Sequence, residues 1–300
     1  MNQSRRSFIK KSALAMASVS LANQLFALSK ENISLGIQLY TVRDEMKSNP
    51  LETLKQIASI GYKNVEHANY VNRKFYGYSA NEFKKVLNDL GLKMPSGHTV
   101  MRKEHWDESK KDFTDAWKQT VEDAAIVEQH YVISPSLDSS VYQTEDSLRR
   151  FMEVFNKSGE LCKKHGMKFG YHNHHFEFSK KFGDKTLYDV IMENTDQKLV
   201  SQQFDTGNLF NADVTALDII KKYPNRFETM HVKDEIESKG GHEKYESCVL
   251  GKGIAETKAV IDLGKANGTT LFIVEQEAYQ DKTPMASSKE DFEIMKSWGY

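Results

Sequence analysis

A chain of 300 residues with 39 % hydrophobic and 11 % aromatic content has enough apolar surface for one large core, which excludes a disordered tail. Its 41 basic residues balance 42 acidic ones, and a net charge of −1 offers no field to draw nucleic acid or an anionic membrane surface. Two cysteines, Cys162 and Cys248, allow one bridge at most and exclude a disulfide framework.

The first segment reads as an address, not as part of the fold. Ser4-Arg5-Arg6-Ser7-Phe8-Ile9-Lys10 matches the twin-arginine export pattern, and a mildly apolar stretch without acidic residues follows over 12–22. Leu25-Phe26-Ala27 supplies a cleavage site, with Ser20-Leu21-Ala22 as an alternative. Residues 1–27 are therefore expected to be a signal peptide, and 28–300 a periplasmic protein exported in folded form. No later run is long and apolar enough to span a bilayer.

From residue 33 strand and helix signals alternate. Residues 33–40 predict a first strand, and Asn49-Pro50 opens a helix that Gly61 closes. Residues 64–66 predict a short second strand, and Ser79 with Glu82 forms a capping box for a helix ending at Gly91. A third strand follows over 92–98, then a helix over about 110–128, a fourth strand over 131–136 and a helix over 144–165 stopped by Gly166. Four further apolar runs turn polar where they end, at Tyr171-His172-Asn173-His174, Asp205-Thr206-Gly207-Asn208, His231-Val232-Lys233-Asp234 and Val274-Glu275-Gln276-Glu277. Helices near 186–194, 214–222, 254–267 and 288–297 complete eight βα pairs. The fold expected is α/β, a single (β/α)8 TIM barrel without a domain boundary.

Alternation along a strand places His172 with His174 on one face, Gln203 with Asp205, His231 with Lys233, and Glu275 with Glu277. Ionisable groups confined to the last positions of strands suit a closed parallel barrel whose site lies at that end. Two imidazoles and two carboxylates meeting there would hold one divalent cation. Gln38, Tyr40, Glu66, His98 and Lys233, at other inward-facing strand ends, are candidate substrate contacts. Glu66 has the alternative of a salt-bridged barrel residue, and Lys233 that of a partner for Asp234 or Glu235. Tyr70, Phe75, Tyr76 and Tyr78 either wall the site or anchor a loop. His130 and His165 fall on the opposite rim, and His67, His105 and His242 in loops. The stretch 234–253, with Gly240-Gly241 and Gly251-Lys252-Gly253, is expected to be a mobile cover.

Together with Leu35-Gly36-Ile37-Gln38-Leu39-Tyr40 and Tyr171-His172-Asn173-His174-His175-Phe176-Glu177-Phe178, the strand-end motifs resemble the xylose isomerase-like TIM barrels, the sugar phosphate isomerase/epimerase family, over about 33–297. The resemblance implies one divalent cation (manganese, cobalt or zinc), with ligands in the order Glu, Asp, His, Glu from strands five to eight. The last three fall on Asp205, His231 and Glu275. The first falls by register on His172; either that imidazole replaces the family's carboxylate, or Glu177 reaches back. Epimerases of the family use two carboxylates, on the fifth and eighth strands, to move a proton between the faces of a carbon beside a carbonyl. Here Glu275 remains as base, with His174 or His98 as its opposite number. The resemblance thus implies a metal-dependent sugar isomerase or epimerase working through an enediolate. A keto-sugar lyase or hydratase/dehydratase is the alternative, and a non-catalytic sugar-binding barrel a third reading. The partner expected is a small sugar and not nucleic acid, with pairing of outer helices into a homodimer open.

Overall fold

Eight parallel strands form the centre: β1 (Ser34–Gln38), β2 (Asn64–His67), β3 (Lys93–His98), β4 (Tyr131–Ser134), β5 (Lys168–His172), β6 (Val200–Asp205), β7 (Thr229–Val232) and β8 (Leu271–Val274). They pair in sequence order, and β8 returns to β1 to close the barrel. In this computed structural model residues 33–240 and 243–300 are described. The expected signal peptide and His242 lie outside them. Around the barrel run α1 (Pro50–Ile60), α2 (Ala80–Asp89), α3 (Asp115–Ile126), α4 (Glu145–Lys164), α5 (Leu187–Asn194), α6 (Ala216–Lys222), α7 (Thr257–Ala266) and α8 (Pro284–Ser297). The (β/α)8 expectation holds.

Local chemistry sets the element ends. Asn49 Oδ1 accepts the Glu52 N–H at 3.3 Å with Pro50 at the first helical position, and Gly61 ends α1 at φ +123°. Ser79 and Glu82 exchange backbone hydrogen bonds as the capping box predicts. The apolar stripe of α4, with Leu148, Phe151, Met152, Phe155 and Cys162 buried, packs on β5, where the Phe155 ring sits 4.9 Å from Phe169 and 5.8 Å from Tyr171. Each such side chain contributes about 1.5–3 kcal/mol on burial. This packing fixes the height of β5, and with it the position of His172.

Several boundaries differ from expectation. β1 stops at Gln38, because the Gln38 side chain accepts the Tyr40 N–H at 3.1 Å and turns residues 39–42 into a 3-10 helix. α3 begins at Asp115 instead of near 110; Asp107 Oδ1 accepts the N–H of Ser109 and Lys110 and starts a turn between Trp106–Asp107 and Asp112–Phe113. α8 begins at Pro284, capped by Thr283. His67 is not a loop residue. It ends β2, is 1 % exposed, and lies so near Gly97 that a Cβ there would fall 2.1 Å from its ring. His105 sits in a 3-10 turn with its ring 5.1 Å from Trp117.

Four short antiparallel hairpins follow the C-terminal ends of β2, β3, β5 and β7, pairing Tyr70–Val71 with Lys74–Phe75, Trp106–Asp107 with Asp112–Phe113, Lys181–Phe182 with Lys185–Thr186, and Asp234–Glu237 with Tyr245–Cys248. The last occupies the stretch 234–253 expected as a cover. Its foot is fixed by buried Asp234, whose carboxylate accepts N–H bonds from Glu235, Gly251, Gly253 and Ala255 at 2.8–3.1 Å. Cys162 and Cys248 are both free and buried.

Asp291 on α8 is fully buried and accepts the Leu250 N–H at 2.9 Å. Burial outweighs that bond and the nearby lysines, and lifts its carboxyl from the ordinary 3.8 to about 7. The folded state therefore holds this proton more tightly than the unfolded chain. Its contribution to stability is complete below the unfolded pKa and is lost as pH rises through about 7. Asp291→Asn keeps the acceptor and removes the titration. We expect denaturant midpoints to show the variant gaining on the parent between pH 5 and pH 8, by at most about 2.6 kcal/mol; an identical difference at both pH values would refute it.

Candidate active site at the C-terminal end of the barrel

The ends of β5 to β8 bring His172, Asp205, His231 and Glu275 together, with one donor atom from each within 4.8 Å of the others. Asp205 is held by its own loop: Oδ1 accepts the N–H groups of Gly207 at 2.9 Å and Asn208 at 2.7 Å. Oδ2, also buried, accepts no hydrogen bond from the described residues. It lies 3.9 Å from both His172 Nε2 and His231 Nδ1, and 3.2 Å from Lys233 Nζ. His231 is gripped from both sides, Nε2 against Glu66 Oε1 at 2.5 Å and Nδ1 against Glu275 Oε2 at 3.0 Å.

The site's charges explain its titration. Burial opposes a charge on His231, but Glu66 and Glu275 outweigh it and hold the imidazole up at about 10. Burial likewise works against ionised Glu66, which His98 and His231 bring well below the ordinary range, and against ionised Glu275, which Lys233 and His231 lower well. Lys233, buried as well, is raised by Asp205, Glu275 and Glu277. His172 goes the other way: burial, then neighbouring imidazoles, push it far down, so it is a neutral nitrogen donor. Glu66, Asp205 and Glu275 share the buried groups Lys233 and His231, with the His98 imidazole 3.1 Å from Glu66 as a further partner. Clustered buried carboxylates, a carboxylate oxygen without a hydrogen bond among the described residues and neutral His172 fit a divalent cation held by two imidazoles and two carboxylates. In that arrangement Glu66 would fix the far nitrogen of His231 and aim Nδ1 inward.

Glu177, the other candidate for the first ligand, stands apart from this group. Its carboxylate is buried, accepts the Tyr171 hydroxyl and, at 2.8 Å, the His174 N–H, and is lifted by burial to about 7. The same contact orients the His172–His174 stretch: the two rings lie 5.0 Å apart, and His174 Nδ1 is buried without a partner. Burial lowers His174 to about 4, so this imidazole is neutral too.

A cavity of about 710 Å³ opens above, bordered by Tyr40, His98, His172, His174, Glu275 and Glu277 among others. Tyr40, 43 % exposed, sits where a substrate contact was expected, its ring 4.8 Å from the Arg43 guanidinium carbon. Gln38 and Glu66 do not border the cavity. They lie beneath it, Gln38 Nε2 donating to Glu66 Oε1 at 2.7 Å. Lys233 is also buried, and pairs with Asp205, Glu275 and Glu277 in place of Asp234 or Glu235. Of the four aromatics after β2 only Tyr70 borders this cavity; Phe75 stacks on Phe83 and Tyr76 accepts the Ala68 N–H.

Three residues without an assigned role prove central. Gln203 donates to Glu66 at 2.7 Å, while its carbonyl oxygen lies 2.6 Å from His98 Nε2 and 3.1 Å from His172 Nδ1. Asn173 brackets the Asp205 backbone, and Asn208 accepts from Lys233 at 3.1 Å. Alternation had already turned Gln203 inward. Nothing local signals the two asparagines.

Comparison with known proteins agrees with this architecture. An inosose dehydratase from Clostridium beijerinckii is 29 % identical over 225 residues, 69 % of this chain and 72 % of its own length. One from Salmonella typhimurium is 30 % identical over 136 residues, 43 % of this chain and 42 % of the relative. A crystal structure of a sugar phosphate isomerase/epimerase from Parabacteroides distasonis superposes with a TM-score of 0.75 at 22 % identity, covering 89 % of this chain and 94 % of that one. An L-ribulose 3-epimerase superposes at 0.65 with 13 % identity, covering 89 % and 94 %. Residues 54–298 match the family of xylose isomerase-like TIM barrels, and the chain belongs to that family.

Proposed function

We propose that the protein is a metal-dependent lyase that removes a proton beside the carbonyl of a keto sugar or keto cyclitol and expels a β-hydroxyl as water. The observation that carries this reading is the asymmetry of the site. Glu275 Oε2 is taken by His231 and Lys233, while Oε1 makes no hydrogen bond with the described residues and Glu275 borders the cavity. Facing it across β3 and β5 are the imidazoles His98 and His174, where a carboxylate pair would suit inversion at carbon. A divalent cation bound by His172, Asp205, His231 and Glu275 would supply Lewis-acid polarisation of the substrate's oxygens.

Glu275, ionised because Lys233 and His231 overcome its burial, takes the α-proton. The electron pair left on carbon becomes the enediolate, then the C=C bond as the β C–O bond breaks. His98, whose imidazole meets Glu66 at 3.1 Å, delivers the proton with which the hydroxyl leaves as water; His174, kept neutral by burial, orients that oxygen by a hydrogen bond. Lys233 holds the Glu275 carboxylate in place, and Tyr40 covers the ring. The relatives named inosose dehydratase support elimination. Isomerisation or epimerisation is the second reading, favoured by His174, which borders the same cavity as Glu275 and could return the proton to the other face.

Proton NMR in D₂O decides between them, with inosose and a panel of keto sugars incubated with Mn²⁺-, Co²⁺- or Zn²⁺-loaded protein. Elimination predicts an unsaturated product with loss of one water. An epimer carrying deuterium at the inverted carbon would replace this reading by the second, and absence of exchange over the whole panel would leave only a binding barrel.

A further inference from the structure

The cavity does not end at the candidate metal site. From His172 and Glu275 it runs sideways over β3 and the loop after β2 to the first turns of α3, where Asn69, Tyr70, Thr99, Arg102, Gln119 and Thr120 border it. Ligand cavities span about 300–1,000 Å³. At about 710 Å³ this one offers more room than a single pyranose ring fills.

The arm is a built feature. The hairpin Tyr70–Val71/Lys74–Phe75 turns tightly through Asn72 (φ 52°) and Arg73 (φ 61°), both left-handed. Asp123 of α3, 3 % exposed, ties it down: its Oδ2 accepts the Tyr70 hydroxyl at 2.6 Å and Arg73 Nε at 2.9 Å, and its Oδ1 accepts Arg73 Nη2 at 2.7 Å. One buried carboxylate thereby holds an aromatic ring and a guanidinium in the cavity wall. Arg73 is neutralised by that contact.

Polar groups along the arm are left without protein partners. The side-chain amides of Asn69 and Gln119 and the Thr99 hydroxyl make no hydrogen bond with the described residues. Amides and hydroxyls beside the Tyr70 ring form the surface that a neutral polyol ring needs, with hydrogen bonds for its edges and an apolar face for its C–H side. An anionic group would find only Arg102 uncompensated among the arm residues named here.

Resting on the carbohydrate reading of the catalytic end, we infer that the natural substrate has two rings: a keto sugar in a glycosidic link, its second, uncharged sugar unit lying in the arm between the 70–75 hairpin and α3. Where that link is β to the carbonyl, the C–O bond that breaks is the glycosidic one, and the second sugar leaves, protonated at that oxygen, in place of water. Asn69, Gln119 and Tyr70 are its specificity residues. Asp123 acts through Tyr70 and Arg73 as a positioning residue.

The test measures affinity by calorimetry on the full-length Co²⁺-loaded protein, with one-ring ligands (3-ketoglucose, fructose) against their two-ring counterparts (3-ketotrehalose, 3-ketocellobiose, turanose) and fructose 6-phosphate. At least one two-ring ligand should bind about tenfold or more tighter than its one-ring parent, the worth of one or two hydrogen bonds with ring contact. The Asn69→Ala/Gln119→Leu variant should remove that advantage and leave the one-ring Kd within about twofold. Equal affinity for one and two rings overturns the inference and leaves the catalytic reading standing. Tighter binding of the phosphate also overturns it, in favour of an anionic substrate, and equal weakening of all ligands by the variant does so too. If no carbohydrate in either set binds, this inference and the carbohydrate reading both fall.

Discussion

Glu275→Gln is expected to lower kcat by about 10²–10⁴-fold, the usual worth of a positioned general base. The amide keeps the shape of the carboxylate, and its oxygen can still accept from His231 Nδ1 and Lys233 Nζ, now at 3.0 Å each. Lys233 keeps Asp205 at 3.2 Å and Glu277 at 2.6 Å, so the buried ammonium is not stranded and the barrel should fold. The lost element is a basic oxygen on the cavity side, together with one negative charge toward a cation. Glu277→Gln is the control. Glu277 borders the same cavity and pairs with the same lysine, but it lies beyond the end of β8 and outside the four-residue group. Its loss should raise KM more than it lowers kcat. Solvent deuterium exchange into the substrate separates base from ligand: with metal content restored, exchange in the Glu275 variant should stay at background. Exchange within tenfold of the parent would remove Glu275 from the role of base.

The residues that meet at the mouth were legible because a strand has period two and a closed barrel gathers strand ends. Those rules bring the inward residues to the mouth, the family resemblance singles out Asp205, His231 and Glu275 among them, alternation favours His172, and the structure brings all four together. The fate of inward residues one layer down was not legible. Gln38 and Glu66 occupy inward strand positions as predicted, yet the barrel interior is filled, and register places them under the site as hydrogen-bond partners of one another, with Glu66 also held against His231. Lys233 was read against its chain neighbours Asp234 and Glu235. Folding takes Asp234 away to cap the backbone of 251–255 and delivers carboxylates from β6 and β8 instead. Three of the four hairpins have strands of two residues, which carry no periodicity, and the fourth pairs runs of four polar-rich residues too short to show any. One of them, with Asp123 forty-eight residues after Phe75, builds the arm of the cavity, and a contact so distant along the chain has no local signal.

Asp205→Asn should cost at least about 100-fold in affinity for a divalent cation, since even partners of metal ligands are worth about 10–100-fold. The substitution separates two tasks of one side chain. Asn Oδ1 can still accept the Gly207 and Asn208 N–H groups at 2.9 and 2.7 Å, so the loop after β6 should persist. The change falls on Oδ2, the buried oxygen without a hydrogen bond, which becomes an N–H₂ facing the Lys233 ammonium at 3.2 Å and two imidazoles at 3.9 Å. A donor now opposes donors, and one of the carboxylates that balanced the site is gone. Competition against a chromophoric chelator gives the affinity directly. Thermal denaturation gives it again, because a cation at about 100 times its Kd stabilises the folded parent by about 2.7 kcal/mol, and the variant should show almost none of this. Run in parallel, His172→Gln and Glu177→Gln decide the first ligand. Geometry groups His172 with the other three donors and leaves Glu177 bound to Tyr171 and the His174 backbone, so only the former should weaken the cation. An Asp205→Asn protein that holds its cation as tightly as the parent would mean that the four strand ends converge for some other purpose.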